Sequence, residues 1–168
     1  MTIQPEVLIE FQDIVLAIKH AELRRFEAVY AGLKDKFFGS HLSQLDILKR
    51  EAAAVCAEIV VSKWLGWKLS LRINTFHREA DLGDDIEVRC VVDPKRELVI
   101  RPNDDYGRRF VLVHIGKNKG KIVGWIWGYE AMVNEYKANP NGKGEAWFVP
   151  QSRLYGMDSF KQCKKGEQ

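Results

Sequence analysis

Cysteine is scarce: Cys56, Cys90 and Cys163 are the only three in 168 residues. None shares a CxxC or Cys/His spacing with another, and an odd number argues against a disulfide framework, so the chain reads as a protein of a reducing cytosol. Long apolar runs are missing too. No stretch approaches the roughly 18 uninterrupted apolar residues of a membrane span. The start MTIQPEVLIEFQD mixes acids with its apolar residues and lacks the basic and apolar regions of a secretion signal. The expectation is a protein neither secreted nor membrane-spanning. There is no GxGxxG or Walker A sequence, which argues against a dinucleotide or NTP site. The four histidines, His20, His41, His77 and His114, are scattered without metal-ligand spacing, and His114 inside an apolar strand reads as a core residue. Charge of one sign is also lacking. Lys and Arg number 26 against 23 Asp and Glu, a net +3, which neither requires nor excludes a nucleic-acid partner.

What is present is an ordinary domain's worth of core, with 46% hydrophobic residues in a chain near the commonest domain size. We read a single domain over 1–168, with a helical N-terminal extension to residue 40, a core over 41–157 and a flexible polar tail over 158–168. From Pro5 to about Leu33 apolar residues recur at mostly helical spacing, predicting one long helix or two stacked ones. Ser40 or Ser43 caps a second helix that runs to Trp64 or Leu65 and that Gly66 terminates. Beyond Gly66 the period falls to two. Strands are expected at 67–75, at Ile86–Val92, from Glu97 to Pro102, at 110–115 and at Lys121–Trp127, with a hairpin loop at Gly116–Gly120. The almost unbroken apolar run 110–115 predicts a central strand covered on both faces. A short helix over Tyr129–Tyr136 and an apolar docking segment at Trp147–Pro150 complete the chain. The fold class expected is α/β, a three-layer α/β/α domain with a mixed sheet behind extra N-terminal helices.

The most informative stretch is Ala80-Asp81-Leu-Gly-Asp84-Asp85-Ile86-Glu87-Val88-Arg89. On a strand, Ile86, Val88, Cys90 and Val92 share one face, while Glu87 and Arg89 share the other. That places Cys90 in the core rather than in nucleophilic chemistry. Asp81 lies just upstream across a turn containing Gly83, close enough for its carboxylate to converge on Glu87. Two converging carboxylates suit a hard divalent cation such as Mg²⁺, and a neighbouring cation can stabilise charge developing on a phosphate. An ordinary reading stands beside each residue. Asp81, Asp84 and Asp85 suit solvated turns, and Glu87 with Arg89 suits an exposed ion pair worth under about 1 kcal/mol.

Asp81 followed by Glu87-Val88-Arg89 on a strand resembles the PD-(D/E)xK nuclease superfamily, with Ala80 in place of the motif's proline and Arg89 in place of its lysine. The span from about Glu51 to Trp127, roughly half the chain, also looks like small phage and bacterial members of that superfamily. Ile86-Glu-Val-Arg, Leu98-Val-Ile-Arg-Pro and Phe110-Val-Leu-Val carry that likeness. The resemblance implies a restriction-endonuclease-like core and hydrolysis of DNA phosphodiesters with Mg²⁺ or Mn²⁺. It further implies Asp81 and Glu87 as metal ligands, Glu58 on the preceding helix as a helper ligand or water-positioning acid, and Arg89 as the cationic partner. Glu51, on the same helical face, rivals Glu58, which also reads as a plain surface acid. Arginine binds phosphate but has a pKa too high to act as a base.

For DNA contact we single out Arg96, Arg101, Arg108 and Arg109 among the cations of the sheet's loops. Trp125 and Trp127, on one strand face, suit core packing better than base stacking. The long first helix, with its broad apolar stripe, suits homodimerisation. The setting expected is the cytoplasm of a bacterial or phage-infected cell. The alternatives are a catalytically inactive nuclease-fold module that binds DNA or protein, for example a phage-encoded regulator, and an inhibitor or assembly factor acting on a host protein.

Overall fold

A computed structural model describes residues 4–30, 32, 43–69, 71, 79–140, 142 and 144–160. The chain opens with a short strand, β1 (Glu6–Leu8), followed by two long helices, α1 (Phe11–Tyr30) and α2 (Gln44–Leu65). Of the two expectations from Pro5, one long helix or two stacked ones, the chain makes one helix, and it starts later. Glu6, Val7 and Leu8 pair with Lys121, Gly120 and Lys119 instead, because an edge strand offers these residues backbone partners that an isolated helical turn would lack. The Asp13 carboxylate accepts the Glu10 backbone N–H at 2.8 Å, satisfying a donor that the start of α1 leaves open. α2 begins and ends where the sequence places it. The Ser43 hydroxyl accepts from the Asp46 N–H, and Gly66 closes the helix in the left-handed region at φ 68.

The two helices pack together over Ala17 and Ala21, both fully buried, whose small side chains let the backbones approach. Ion pairs flank this contact. Lys63 of α2 reaches Asp13 and Glu10, and Arg24 of α1 reaches Glu58.

A mixed sheet carries the core. It consists of β1, β2 (Ile86–Val91), β4 (Arg109–Ile115) and β5 (Lys119–Trp127), ordered β1-β5-β4-β2. β2 and β4 run parallel, whereas β5 is antiparallel to both β4 and β1. Between β2 and β4 the chain leaves this sheet to make β3 (Leu98–Ile100). The strand expected at 67–75 falls largely outside the described residues; Trp67, Lys68, Leu69 and Leu71 are not in regular structure.

Phe110, Val111, Leu112 and Val113 of β4 are all fully buried, as a strand covered on both faces must be. Val111 and Val113 join Ile86 and Val88 beneath α2, with Ile59 and Val60 above them. Phe110 and Leu112 face the other way, onto Leu98, Ile100 and Val149. That second face is covered by a small antiparallel sheet, β3-β7-β6, with β6 at Lys137–Ala138 and β7 at Ala146–Val149. A one-turn helix, α3 (Gly128–Ala131), adds Ala131 to it. Among the described residues the second covering layer is thus mainly sheet, where the three-layer α/β/α expectation had helices. Trp147–Val149 is a true strand, and the helix expected over Tyr129–Tyr136 breaks at Val133, whose backbone is extended.

Residues 158–160 are not tail. Phe160, in α4 (Met157–Phe160), is buried against Trp64 and Trp125. Residues 161–168 of the expected tail lie outside the described residues. The N-terminal segment is likewise no appendage, since β1 completes the central sheet and α1 covers α2. No helix among the described residues is long and apolar enough to cross a membrane.

Candidate acidic site at the edge of β2

β2 is an outer strand, so alternate backbone N–H groups along its free side have no neighbouring strand to bond. The preceding turn folds back onto it. Leu82 and Ile86 exchange backbone hydrogen bonds of 3.1 and 3.2 Å across Gly83-Asp84-Asp85. The Asp81 side chain is thereby carried to the next open donor, the Val88 N–H, which it accepts at 2.8 Å.

The period of two then does what the sequence implied. Ile86, Val88 and Cys90 point into the core beneath α2, and burial pushes the Cys90 thiol up to about 12, so it is inert at neutral pH. Glu87 and Arg89 point to the opposite face, where Arg89 Nη1 donates to Glu87 Oε2 at 3.1 Å. The same Nη1 lies 3.9 Å from Asp81 Oδ2. Asp81 and Glu87 therefore converge on one nitrogen.

Further charges complete the cluster. Arg89 Nη2 contacts Asp104 Oδ2 at 2.8 Å, and the guanidinium sits 5.2 Å from the centre of the Phe110 ring. Arg108 donates to the other Glu87 oxygen, Oε1, and to the Glu79 carbonyl. Glu58 reaches the cluster's margin from α2, its carboxylate gripped by both terminal nitrogens of Arg24 at 2.7 and 2.8 Å. Glu58 is a buried acid, not a surface one.

Electrostatics show how closely these groups sense one another. Burial raises the pKa of Glu58 to about 7, and the nearby negative charges of Asp81 and Glu87 push the same way, against the pull of Arg24. Glu87 is also raised, first by burial and then by Asp81, although Arg89 and Arg108 oppose the shift. Arg89 is desolvated, which alone would lower it, but Asp104 and Glu87 hold it above its ordinary value. It stays a fixed cation.

The donor set of Asp81 and Glu87, with Glu58 nearby, has the oxygen chemistry a hard divalent ion requires. A guanidinium now bridges the two acids. Among the described residues, no group of three or more His, Cys, Asp and Glu is arranged to hold a metal ion. A metal held here would draw on Asp81 and Glu87, with Glu58 at the margin, and Arg89 would have to yield part of its contact with the two acids.

The four arginines chosen for DNA contact divide into two pairs. Arg96 and Arg101 are exposed, Arg96 lying 3.7 Å from Asp93. Arg108 and Arg109 are buried, which corrects the expectation that they line open loops. Arg109 binds both Asp85 oxygens at 2.8 and 2.7 Å and lies over the Phe160 and Trp127 rings. Trp125 is core, its indole N–H donating to the Gly156 carbonyl and the Ser159 hydroxyl. His114 is satisfied by the Val92 carbonyl, but at the half-buried end of β4. Three members of the cluster escaped sequence reasoning. Arg24 lies far from the motif in the chain. Asp104 carries no motif signal of its own, and Arg108 reads from sequence as a loop cation. Only a pattern of acids and arginines recurring around one strand could have flagged them.

Comparison of the chain with protein-family models, with curated proteins and with solved structures gave no match.

Proposed function

We propose that the chain is a metal-dependent nuclease that hydrolyses DNA phosphodiester bonds at the Asp81–Glu87 site, with α2 and the mixed sheet forming a restriction-endonuclease-like core. One observation carries the reading: carboxylates brought from a turn and a strand both approach one nitrogen of a fixed cation, Arg89 Nη1, at 3.9 and 3.1 Å. Asp81 and Glu87 would hold Mg²⁺ or Mn²⁺, which when bound supplies a Lewis acid for the phosphate and lowers the pKa of a water.

The remaining chemistry belongs to the chain. Arg89, always charged, offsets negative charge building up on a phosphate but does not take a proton. Glu58, at the margin of the cluster, would serve as a helper ligand or position the attacking water. Arg24 fixes the orientation of that carboxylate, and Asp104 holds Arg89 in place. Arg96 and Arg101 supply exposed charge for the DNA backbone.

The test is incubation of supercoiled plasmid, linear duplex and single-stranded DNA with Mg²⁺ or Mn²⁺, comparing wild type with Asp81→Ala and Glu87→Ala. Cutting that needs metal and disappears in both variants supports the proposal. Cutting that survives either substitution overturns it.

A second reading rests on the arginines. Arg24, Arg89 and Arg108 already face Glu58, Glu87, Asp81 and Asp104, so three guanidiniums offset most of the charge of the four carboxylates without any ion. This arrangement suits a nuclease-fold module that binds DNA or protein without cutting. Metal-independent DNA binding with no cleavage in the same assay distinguishes it.

A further inference from the structure

The face of α1 turned away from α2 is apolar. Phe11, Ile14, Ile18, Phe26, Val29 and Tyr30 recur at spacings of three, four, seven and eight and line the outer side of the helix. They are exposed, Phe11 by 80%, Phe26 by 67% and Tyr30 by 85%. An outward helix face is normally polar, and the inward one here is already filled by Asp13, Ala17, Ala21 and Arg24 against α2. Large apolar side chains clustered on an exposed helix face in this way mark an interaction site.

We propose that α1 packs antiparallel against α1 of a second copy of this chain, about a two-fold axis passing beside residues 20 and 21. Charge carries the choice of occupant. Lys19 and Glu22, both exposed, are the charged residues at the middle of the outward face, and they have opposite sign. A two-fold axis between them brings Lys19 of each copy opposite Glu22 of the other, and Val15 opposite Phe26. A surface that complements itself this way is what an isologous dimer requires. The area is sufficient. Aromatic side chains bury on the order of 150–250 Å² each, so Phe11, Phe26 and Tyr30 supply more than half of the ~800 Å² per partner of a standard interface, and the aliphatic residues supply the rest.

The arrangement is independent of the nuclease reading, since none of these side chains belongs to the acidic cluster. Sedimentation equilibrium of the full chain tests it. Wild type sediments at twice the mass of a single 19.4 kDa chain, and Ile18→Asp sediments as a monomer while retaining the wild-type circular dichroism spectrum. Lys19→Glu and Glu22→Lys each weaken the dimer about tenfold, because either change turns two attractive contacts into repulsions. The double exchange of both residues restores it. A wild type that stays monomeric at high concentration overturns the proposal. Single exchanges with no effect on a dimer overturn the antiparallel register.

Discussion

Arg24 of α1 grips Glu58 of α2 with both terminal nitrogens, at 2.7 and 2.8 Å. Each partner answers differently. The arginine is held above its usual pKa by this acid despite burial, yet Glu58 is itself raised to about 7, because burial and the charges of Asp81 and Glu87 outweigh the single guanidinium. The arginine is charged throughout, so the acid is the group that titrates. An acid whose folded pKa exceeds its unfolded value of 4.5 contributes stability that is fully present below pH 4.5 and lost as pH rises through about 7. Wild type in metal-free buffer is expected to lose about 3 kcal/mol from this group across that window. Glu58→Gln, which cannot ionise, removes that component, as urea unfolding at a series of pH values will show; parallel profiles for the two proteins would contradict it.

Metal binding has a readout separate from cleavage. A ligand that binds only the folded state raises the melting temperature, and Mg²⁺ or Mn²⁺ at a hundredfold excess over its dissociation constant adds about 2.7 kcal/mol by that linkage. Differential scanning calorimetry should show the rise in wild type and its loss in Asp81→Asn and Glu87→Gln. A rise that persists in both variants would place the metal elsewhere.

Arg89 is a structural partner before it is anything else. Its removal takes one cationic partner from each of two buried acids, Asp104 and Glu87, and leaves Glu87 only Arg108 among the arginines of the cluster. Arg89→Ala is expected to cost about 3–5 kcal/mol. Arg89→Lys, which keeps the charge but loses the two-pronged geometry, should cost less. Chemical denaturation ranks the three proteins, and equal stabilities would show that the ion pairs carry no net energy.

The four loop arginines should separate into two behaviours. Arg96→Ala and Arg101→Ala are expected to leave stability within about 0.5 kcal/mol while reducing DNA affinity and flattening its dependence on salt. Arg109→Ala should instead destabilise the fold by several kcal/mol, since it strips Asp85 of a bidentate partner and the Phe160 ring of its covering. Salt-dependent fluorescence anisotropy and thermal melts distinguish the two.

Gly124 stands where β5 meets the segment before α4, and an added Cβ would lie 2.6 Å from the Tyr155 carbonyl oxygen. That contact is backbone, tied down by the paired Trp125–Tyr155 hydrogen bonds, and cannot swing aside. Gly124→Ala is expected to cost about 1–3 kcal/mol, measured by urea unfolding. An unchanged midpoint would mean that the strand can shift.

Much of this architecture was readable in advance because it rests on local chemistry. Ser43 and Gly66 bound α2 through their own caps, and the alternation from Ile86 put Glu87 and Arg89 on a common face whatever the rest of the fold. The misses depend on partners distant in the chain. Glu6–Leu8 is a strand only because Lys119–Lys121 lies beside it, and Phe160 joins the core only because Trp64 and Trp125 are there to receive it. Arg108 and Arg109 look like loop cations until Glu87 and Asp85 are placed against them. In the acidic site, Asp81 and Glu87 were legible from spacing, whereas Asp104 and Arg24 are brought in by tertiary packing alone.

The pairing of β1 with β5 also sets an order of events during synthesis. Glu6 leaves the ribosome 113 residues ahead of Lys119, the residue whose ammonium it meets. The helical hairpin of α1 and α2 has its partners at hand long before then, while the first strand must wait for the β4–β5 turn to emerge. β1 therefore stays without its sheet partner until β5 has been made, and it is locked down only after the helices it precedes.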